Sequence, residues 1–231
     1  MILGLDTSTA ATAAAVWAPG GPEAEARDEG GRGSGSGARP QHASRLLVLV
    51  EEALEGAGAD WDRIERIAVG VGPGGFTGLR HGIATARALA QARDLPLAAV
   101  SSLEALARGA EAGAGGRPVI AVIDARRGEV FAAAWRGGEP VLEPLALPPA
   151  DLAARLAQER LAGALAAGDG AVRFREQLER AGAAVPEDRS PVHRVSALEI
   201  CRLGAAGEVT DRDRLVPDYR REPDARPRPT P

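Results

Sequence analysis

The chain has 231 residues, a net charge of −4 and a single cysteine, so it can bury a sound core but cannot form an intramolecular disulfide. Aromatic residues, which stack on bases in many RNA-binding proteins, are only 3% of the chain, and there is no excess of basic residues. We therefore do not expect the chain to bind RNA directly. The chain opens with a predicted strand, Ile2 to Leu5, rather than a leader, and no apolar run reaches membrane-spanning length. We therefore expect a cytoplasmic protein that makes no membrane contact.

The first half of the chain predicts strands and helices in a defined order. Strands are expected near residues 2–6, 11–17, 23–27, 64–71 and 96–100. A helix from about Pro40 to Gly56 precedes the fourth strand, and a second helix follows it. The glycine and serine run at 30–37 predicts a loop.

The second half repeats this order of elements. Three predicted strands at 119–123, 130–135 and 141–147 precede a helix from Asp151, a short strand near 161–166 and a helix from Ala171. A further helix is expected at 196–203. The repetition predicts two related α/β subdomains, 1–105 and 106–215, with a boundary near 101–117 and a loosely held tail at 216–231.

A glycine-rich turn joins the predicted strand that ends at Val71 to the following helix, in the sequence Gly70-Val71-Gly72-Pro73-Gly74-Gly75-Phe76-Thr77. Thr77 is a candidate N-cap, and free N–H groups at a helix start can bind an anion. The turn formally matches a dinucleotide fingerprint, but the next strand ends in Ser101 rather than an acid. It also lacks the lysine of a P-loop. Phosphate binding and a purely steric role for the glycines both remain open.

Small residues recur every fourth position on the helix after this turn. Such a ridge lets another helix approach closely, so we expect a second chain to pack on it, alongside the apolar stripe of the helix at 40–56. A large residue at Gly82 should then abolish that contact and leave the fold largely intact. Packing between these two helices of the same chain is the alternative. The predicted interface residues are Leu46, Leu49, Val50, Gly78, Leu79, Gly82, Ile83 and Ala86.

No pattern in the chain predicts catalytic or metal-binding residues. The three histidines, His42, His81 and His193, never occur at helical ligand spacing, and there is no cluster of cysteine with histidine. Cys201 has no histidine near it in sequence and is interpreted as a buried structural thiol. Arg80 could pair with a carboxylate across a subunit contact.

Several blocks in chain order resemble one known family. They are Ile2-Leu3-Gly4-Leu5-Asp6-Thr7-Ser8, Gly72-Pro73-Gly74-Gly75-Phe76-Thr77-Gly78-Leu79-Arg80, Val100-Ser101-Ser102-Leu103-Glu104 and Ile123-Asp124-Ala125-Arg126-Arg127-Gly128-Glu129-Val130. Together these blocks are similar to the TsaB family, also called YeaZ, and Pro217-Asp218-Tyr219-Arg220 is similar to its closing motif. The resemblance implies the actin, sugar kinase and Hsp70 (ASKHA) fold, an α/β architecture of two related subdomains, each a mixed sheet with helices.

The family resemblance implies a non-catalytic subunit of the complex that forms N6-threonylcarbamoyladenosine at position 37 of tRNAs reading codons that begin with A. Its implied partners are a TsaD-like catalytic subunit, a TsaE-like ATPase and, through the complex, tRNA. A homodimer is implied when the partner is missing. Ser102 and Leu106 stand where the catalytic paralogue has its His-x-x-x-His metal ligands, so the resemblance implies neither a metal nor another cofactor.

Two other functions remain open from the sequence. The first is a small-molecule kinase or ATPase that holds nucleotide phosphates with Asp6 and the turn at 72–75, with contacts from Asp6, Gly74, Gly75 and Thr77 and with Asp124 as a second carboxylate. The second is a tRNA-binding subunit that acts through Arg173, Arg175, Arg180 and the arginines of the tail, although a solvated helix face explains those arginines equally well.

Overall fold

Two mixed β-sheets form the framework of the protein in the computed structural model, which describes residues 1–30 and 42–220. The strands of the first sheet lie in the order β3-β2-β1-β4-β5, with β1 antiparallel to β2 and parallel to β4. They are β1 (Ile2–Asp6), β2 (Thr12–Trp17), β3 (Glu23–Asp28), β4 (Arg66–Gly72) and β5 (Leu97–Ser101).

The second sheet has the same topology as the first four strands of the first sheet. Its order is β8-β7-β6-β9, with β6 antiparallel to β7 and parallel to β9. It consists of β6 (Val119–Arg126), β7 (Glu129–Arg136), β8 (Glu139–Leu147) and β9 (Leu165–Ala167). The prediction of two related α/β subdomains is therefore confirmed by strand order and direction.

Seven α-helices cover these sheets within the described residues: α1 (His42–Gly56), α2 (Phe76–Arg93), α3 (Ser102–Ala114), α4 (Pro149–Gln158), α5 (Asp169–Arg173), α6 (Arg175–Arg180) and α7 (Ala197–Ala206). The predicted boundary region 101–117 is mostly helical, since α3 occupies Ser102–Ala114 between the last strand of the first sheet and the first strand of the second sheet. The Ser101 hydroxyl accepts a hydrogen bond from the Glu104 N–H at 3.3 Å and so caps this helix.

The C-terminal helix α7 packs on the first sheet, against β1, β2 and β4. Small residues allow this close approach, since a β-carbon at Gly4 would lie 2.5 Å from the Ala197 carbonyl oxygen. Glu25 of β3 accepts hydrogen bonds from the Ala197 N–H at 2.8 Å and the Ser196 hydroxyl at 3.0 Å. Cys201 on α7 is buried, as predicted, and burial raises the pKa of its thiol.

The segment after α7 returns to the first sheet. Leu215 is buried in the core, and the Asp218 N–H donates to the Val71 carbonyl oxygen at 2.8 Å. At Asp218 the predicted tail is thus hydrogen-bonded to the first sheet, and 221–231 lie outside the described residues, as do 31–37 of the glycine and serine run. No helix among the described residues is long and apolar enough to cross a membrane.

Candidate functional site

The glycine-rich turn packs against the hairpin between β1 and β2. The Gly75 N–H donates to the Ser8 carbonyl oxygen at 2.7 Å, and a β-carbon at Gly74 would lie 2.3 Å from the same oxygen. Helix α2 begins at Phe76 with Gly75 at the N-cap and no side-chain cap. Thr77 was thus wrongly predicted as the N-cap, and its side chain is exposed one residue inside the helix.

Asp6 ends β1 beneath this turn and is enclosed by hydroxyl groups. Its Oδ1 accepts hydrogen bonds from the Ser8 N–H at 3.1 Å and the Ser8 hydroxyl at 2.8 Å, and its Oδ2 accepts one from the Ser102 hydroxyl at 3.0 Å. A β-carbon at Gly70 would lie 2.1 Å from Oδ2. Burial raises the pKa of Asp6 above its usual 3.8. Both carboxylate oxygens therefore accept hydrogen bonds from the chain itself, and the side chain is buried.

The equivalent corner of the second subdomain has an ionic rather than a hydroxyl environment. Asp124 near the end of β6 pairs with Arg173 at 2.7 Å and Arg126 at 3.3 Å. The Asp124 N–H donates to Asp169, and burial raises the pKa of the Asp169 carboxyl. Between the two subdomains, a small cavity of about 30 Å³ is lined by Thr9, Arg27, Asp169, His193 and others.

The residue Leu106, one turn after Ser102 on α3, is buried in the apolar core. The two positions matched to metal ligands are thus a hydroxyl bonded to Asp6 and a core aliphatic side chain. Among residues 1–30 and 42–220, no three histidine, cysteine, aspartate or glutamate side chains come together where a metal could bind. His42 is buried against the Thr12 hydroxyl at 2.8 Å, and burial lowers the pKa of its imidazole.

The glycines of α2 face the turn that follows β1 in the same chain. A β-carbon at Gly78 would lie 2.1 Å from the Thr7 carbonyl oxygen, and one at Gly82 would lie 2.3 Å from the Thr7 hydroxyl. The Thr7 hydroxyl also donates to the Gly78 carbonyl oxygen at 2.8 Å. A large residue at Gly82 would therefore disturb the fold, contrary to the sequence expectation.

The other predicted interface side chains also point into the chain. All are at most 5% exposed and belong to the core around the first sheet: Leu46, Leu49, Val50, Leu79, Ile83 and Ala86. The surface that another chain can reach on these two helices is consequently formed by different residues.

That surface, here called the outer face, consists of Leu47 and Val48 on α1 with Ala84 and Ala88 on α2. Leu47 is 52% exposed and Val48 is 43% exposed, and both alanines are exposed. Sequence reasoning missed this face, although the signal was present. The run Leu46–Val50 has five consecutive aliphatic residues, more than one buried face of a helix can use.

Helices α1 and α2 run side by side in the same direction along this face. At their starts, a β-carbon at Gly78 would lie 3.2 Å from His42 Nε2. Near their ends, the Trp61 indole donates to Glu51 of α1 at 3.2 Å while the Arg93 guanidinium of α2 lies 4.9 Å from the Trp61 ring. The two helices therefore present one continuous surface.

Of the arginines considered for tRNA contact, those at 221–231 lie outside the described residues. The other three, on the second subdomain, are paired with acids. Arg175 contacts Asp188 at 2.6 Å and Glu179 at 3.1 Å. Arg180 contacts Glu176, and Arg173 contacts Asp124. Their charges are balanced locally, so they do not form a basic patch.

Known proteins match the chain in family, sequence and fold. The family model described as TsaD, tRNA N6-adenosine threonylcarbamoyltransferase, matches residues 36–195. The tRNA threonylcarbamoyladenosine biosynthesis protein TsaB of Escherichia coli is 37% identical over 138 residues, 60% of this chain and 56% of that protein. The chain thus spans little more than half of the length of this relative.

Two solved structures give the fold-level comparison. A ROK hexokinase from Thermus thermophilus has a TM-score of 0.51, covering 88% of this chain and 99% of that one, and at 16% identity it shows the shared sugar-kinase type of fold alone. YeaZ from Pseudomonas aeruginosa has a TM-score of 0.72 and is 30% identical, covering 94% of this chain and 98% of that chain. Together with the sequence match, this near full-length similarity shows that the chain belongs to the TsaB (YeaZ) family.

Proposed function

We propose that this chain is a non-catalytic subunit of the machinery that forms N6-threonylcarbamoyladenosine at position 37 of tRNAs reading codons that begin with A. Membership of the TsaB family supports this reaction, because relatives carry the name of tRNA threonylcarbamoyladenosine biosynthesis proteins. In this proposal the chain acts in the cytoplasm. It meets tRNA and a TsaE-like ATPase through the complex.

The outer face carries the proposal that the chain acts by binding a TsaD-like catalytic subunit. Two large aliphatic side chains on α1 stand beside the exposed alanines of α2. Aliphatic knobs beside small residues suit helix-on-helix packing, in which the matching helix pair of a paralogue completes a four-helix contact. The same surface would form a homodimer when the paralogue is missing, because paralogous folds present similar faces.

The environment of Asp6 supports a role without catalysis. A carboxylate that holds magnesium beside a nucleotide phosphate must direct oxygen lone pairs at the metal. Both oxygens of Asp6 accept hydrogen bonds from Ser8 and Ser102. The Gly75 N–H, which would have to meet a phosphate, is bonded to Ser8.

The alternative of a small-molecule kinase loses support for the same reasons. Asp124, its second carboxylate, is paired with two arginines. No feature of the described residues favours the kinase over the scaffold.

Threonylcarbamoyl transfer to unmodified tRNA tests the proposal. The reaction is reconstituted from the same organism's pathway proteins with this chain present, absent or replaced by Ala84→Glu, which places a charge on the outer face. We expect transfer only when this chain and the catalytic paralogue are both present, and a large loss with Ala84→Glu. Val141→Glu, at an exposed site on β8, serves as the matched control and should retain activity. Full transfer without this chain would refute the proposed function.

A further inference from the structure

Arg80 on α2 is held in place by two exposed aromatic rings. Its guanidinium carbon lies 3.7 Å from the centre of the Phe76 ring, and its Nε donates to the Tyr219 hydroxyl at 2.9 Å. Phe76 and Tyr219 stack with their ring centres 5.4 Å apart. Most surface arginine side chains rotate freely, whereas these contacts hold the Arg80 side chain in one orientation.

The chain segment that carries Tyr219 is itself anchored. Leu215 lies in the core, and the Asp218 N–H bonds to Val71 at the end of β4. Phe76 nevertheless remains 49% exposed and Tyr219 46% exposed. A rigid aromatic pair with an arginine, left open to solvent, has the composition of binding hot spots.

Among the described residues, Arg80 differs from the other arginines of α2 in having no acidic partner. Arg87 pairs with Asp213 at 3.1 Å, and Arg93 lies 4.0 Å from Asp62. Within 1–30 and 42–220, no carboxylate lies within ion-pair distance of Arg80, and its only polar contact there is the one made by Nε. Within that part of the chain, its two terminal nitrogens make no hydrogen bond and can accept an outside carboxylate as partner.

The arginine cluster continues the outer face. Phe76, Arg80, Ala84 and Ala88 follow one another at four-residue spacing and lie on one side of α2. A chain that packs on Ala84 and Ala88 must pass beside Arg80. The cluster is therefore at the edge of the surface assigned to the partner.

We propose that the Arg80 guanidinium, held by Phe76 and Tyr219, binds a carboxylate of the partner chain at the edge of the outer face. Planar guanidinium groups pair with carboxylates through two parallel hydrogen bonds, and an orientation fixed beforehand lowers the entropic cost of that pairing. The inference rests on the proposed function, since it names the chemistry by which the same surface recognises its partner.

A protein carboxylate fits this cluster better than an RNA phosphate or base. Among the described residues, the neighbouring Arg220 is paired with Asp218 at 2.8 Å, and the chain carries a net charge of −4, so residues 1–30 and 42–220 give the cluster no basic surroundings. One ring face of Phe76 is also covered by Arg80, and the two rings stack on each other, which leaves less ring surface for an unstacked base.

Calorimetric titration of the full chain with the catalytic paralogue, at low and high ionic strength, tests the inference. We expect Arg80→Gln to weaken binding by about 10- to 100-fold and to reduce its salt dependence. Tyr219→Phe, which removes the hydroxyl that fixes Nε, should weaken binding about 3-fold. Arg87→Gln, on the same helix but paired with Asp213, should remain within about 2-fold of wild type.

Three results would overturn the inference. They are wild-type affinity in Arg80→Gln, a loss of affinity with unchanged salt dependence, or a loss of tRNA binding while paralogue binding stays normal. The variant Ala84→Glu shows whether only the carboxylate contact of Arg80 is wrong or whether the proposed interface is wrong as well. If Ala84→Glu abolishes binding but Arg80→Gln does not, the outer face stands and the carboxylate contact falls. If neither variant affects binding, the proposed interface falls as well.

Discussion

The inner and outer sides of α2 both carry rows of small residues, but the two rows contact different surroundings. On the inner side, Gly78 and Gly82 lie so close to Thr7 that neither position has room for a β-carbon. On the outer side, Ala84 and Ala88 are exposed. The inner row holds the helix against its own sheet, and the outer row is free to receive another helix.

This difference shows that a small-residue ridge alone does not identify an interface. Glycine is required where a backbone carbonyl or a hydroxyl approaches the helix, because even a methyl group collides with it. Alanine suffices where helices meet through side chains, and it favours the helix by up to about 1 kcal/mol over glycine. The choice between glycine and alanine is thus the useful signal, and it predicts which side of a helix faces backbone.

Among the variants that compare the two sides of α2, Gly78→Ala should have the largest effect, and the effect is on stability. Its β-carbon would lie 2.1 Å from the Thr7 carbonyl oxygen, so we expect a loss of about 3 kcal/mol in the free energy of unfolding. Urea denaturation measures it. Gly109→Ala on α3 is the matched control, since its nearest new contact is 3.8 Å away, and it should gain up to about 1 kcal/mol from helix propensity. Equal stability of Gly78→Ala and wild type would remove the distinction between the two sides.

Leu47→Asp tests the outer side and should leave folding nearly unchanged. The side chain is 52% exposed, so stability should stay within about 0.5 kcal/mol of wild type. Binding to the catalytic paralogue should weaken by about 30-fold, which corresponds to about 2 kcal/mol. Calorimetry measures the affinity, with Val141→Asp as a control of similar chemistry on β8. A strong loss of stability without a loss of affinity would reverse the assignment of this face.

The variant Ser102→Ala tests how much one polar contact beneath the inner side of α2 contributes to stability. The Asp6 Oδ2 would lose its hydroxyl donor at a buried site, which should cost about 1 to 2 kcal/mol of stability. Thermal and urea unfolding both report the change. Paralogue affinity should be unaltered, because Ser102 is fully buried. A variant as stable as wild type would mean that Asp6 does not depend on this hydroxyl.

Asp6→Asn should change the pH dependence of stability. Because burial raises the folded-state pKa of Asp6 above 3.8, the unfolded chain releases this proton first as pH rises. The wild type therefore loses stability between pH 3.8 and its raised folded-state pKa, and loses no more above that value. The free energy of unfolding of Asp6→Asn minus that of wild type should rise with pH across this window and then level off. A flat difference would contradict the assigned shift.

Much of the fold could be read from the sequence because hydrophobic runs and glycine turns are local signals. These signals were enough to predict the order of strands and helices that the two halves of the chain share. Helix α3 was missed even though Ser101 and Glu104 have the spacing of a capping box. The stacking of Phe76 on Tyr219 could not be predicted, since it joins positions 143 residues apart in sequence through a return of the chain that no local pattern encodes.

The position of α7 has a consequence for the order in which the protein can fold during synthesis. One side of the N-terminal sheet is covered by a helix that ends at Ala206, and Glu25 of β3 binds the start of that helix. The strands of the first sheet are all made by Ser101, but a ribosome must make about one hundred further residues before α7 can cover this side of the sheet. Contacts between residues this far apart close slowly, so the nascent first subdomain remains open along this side until the last helix emerges.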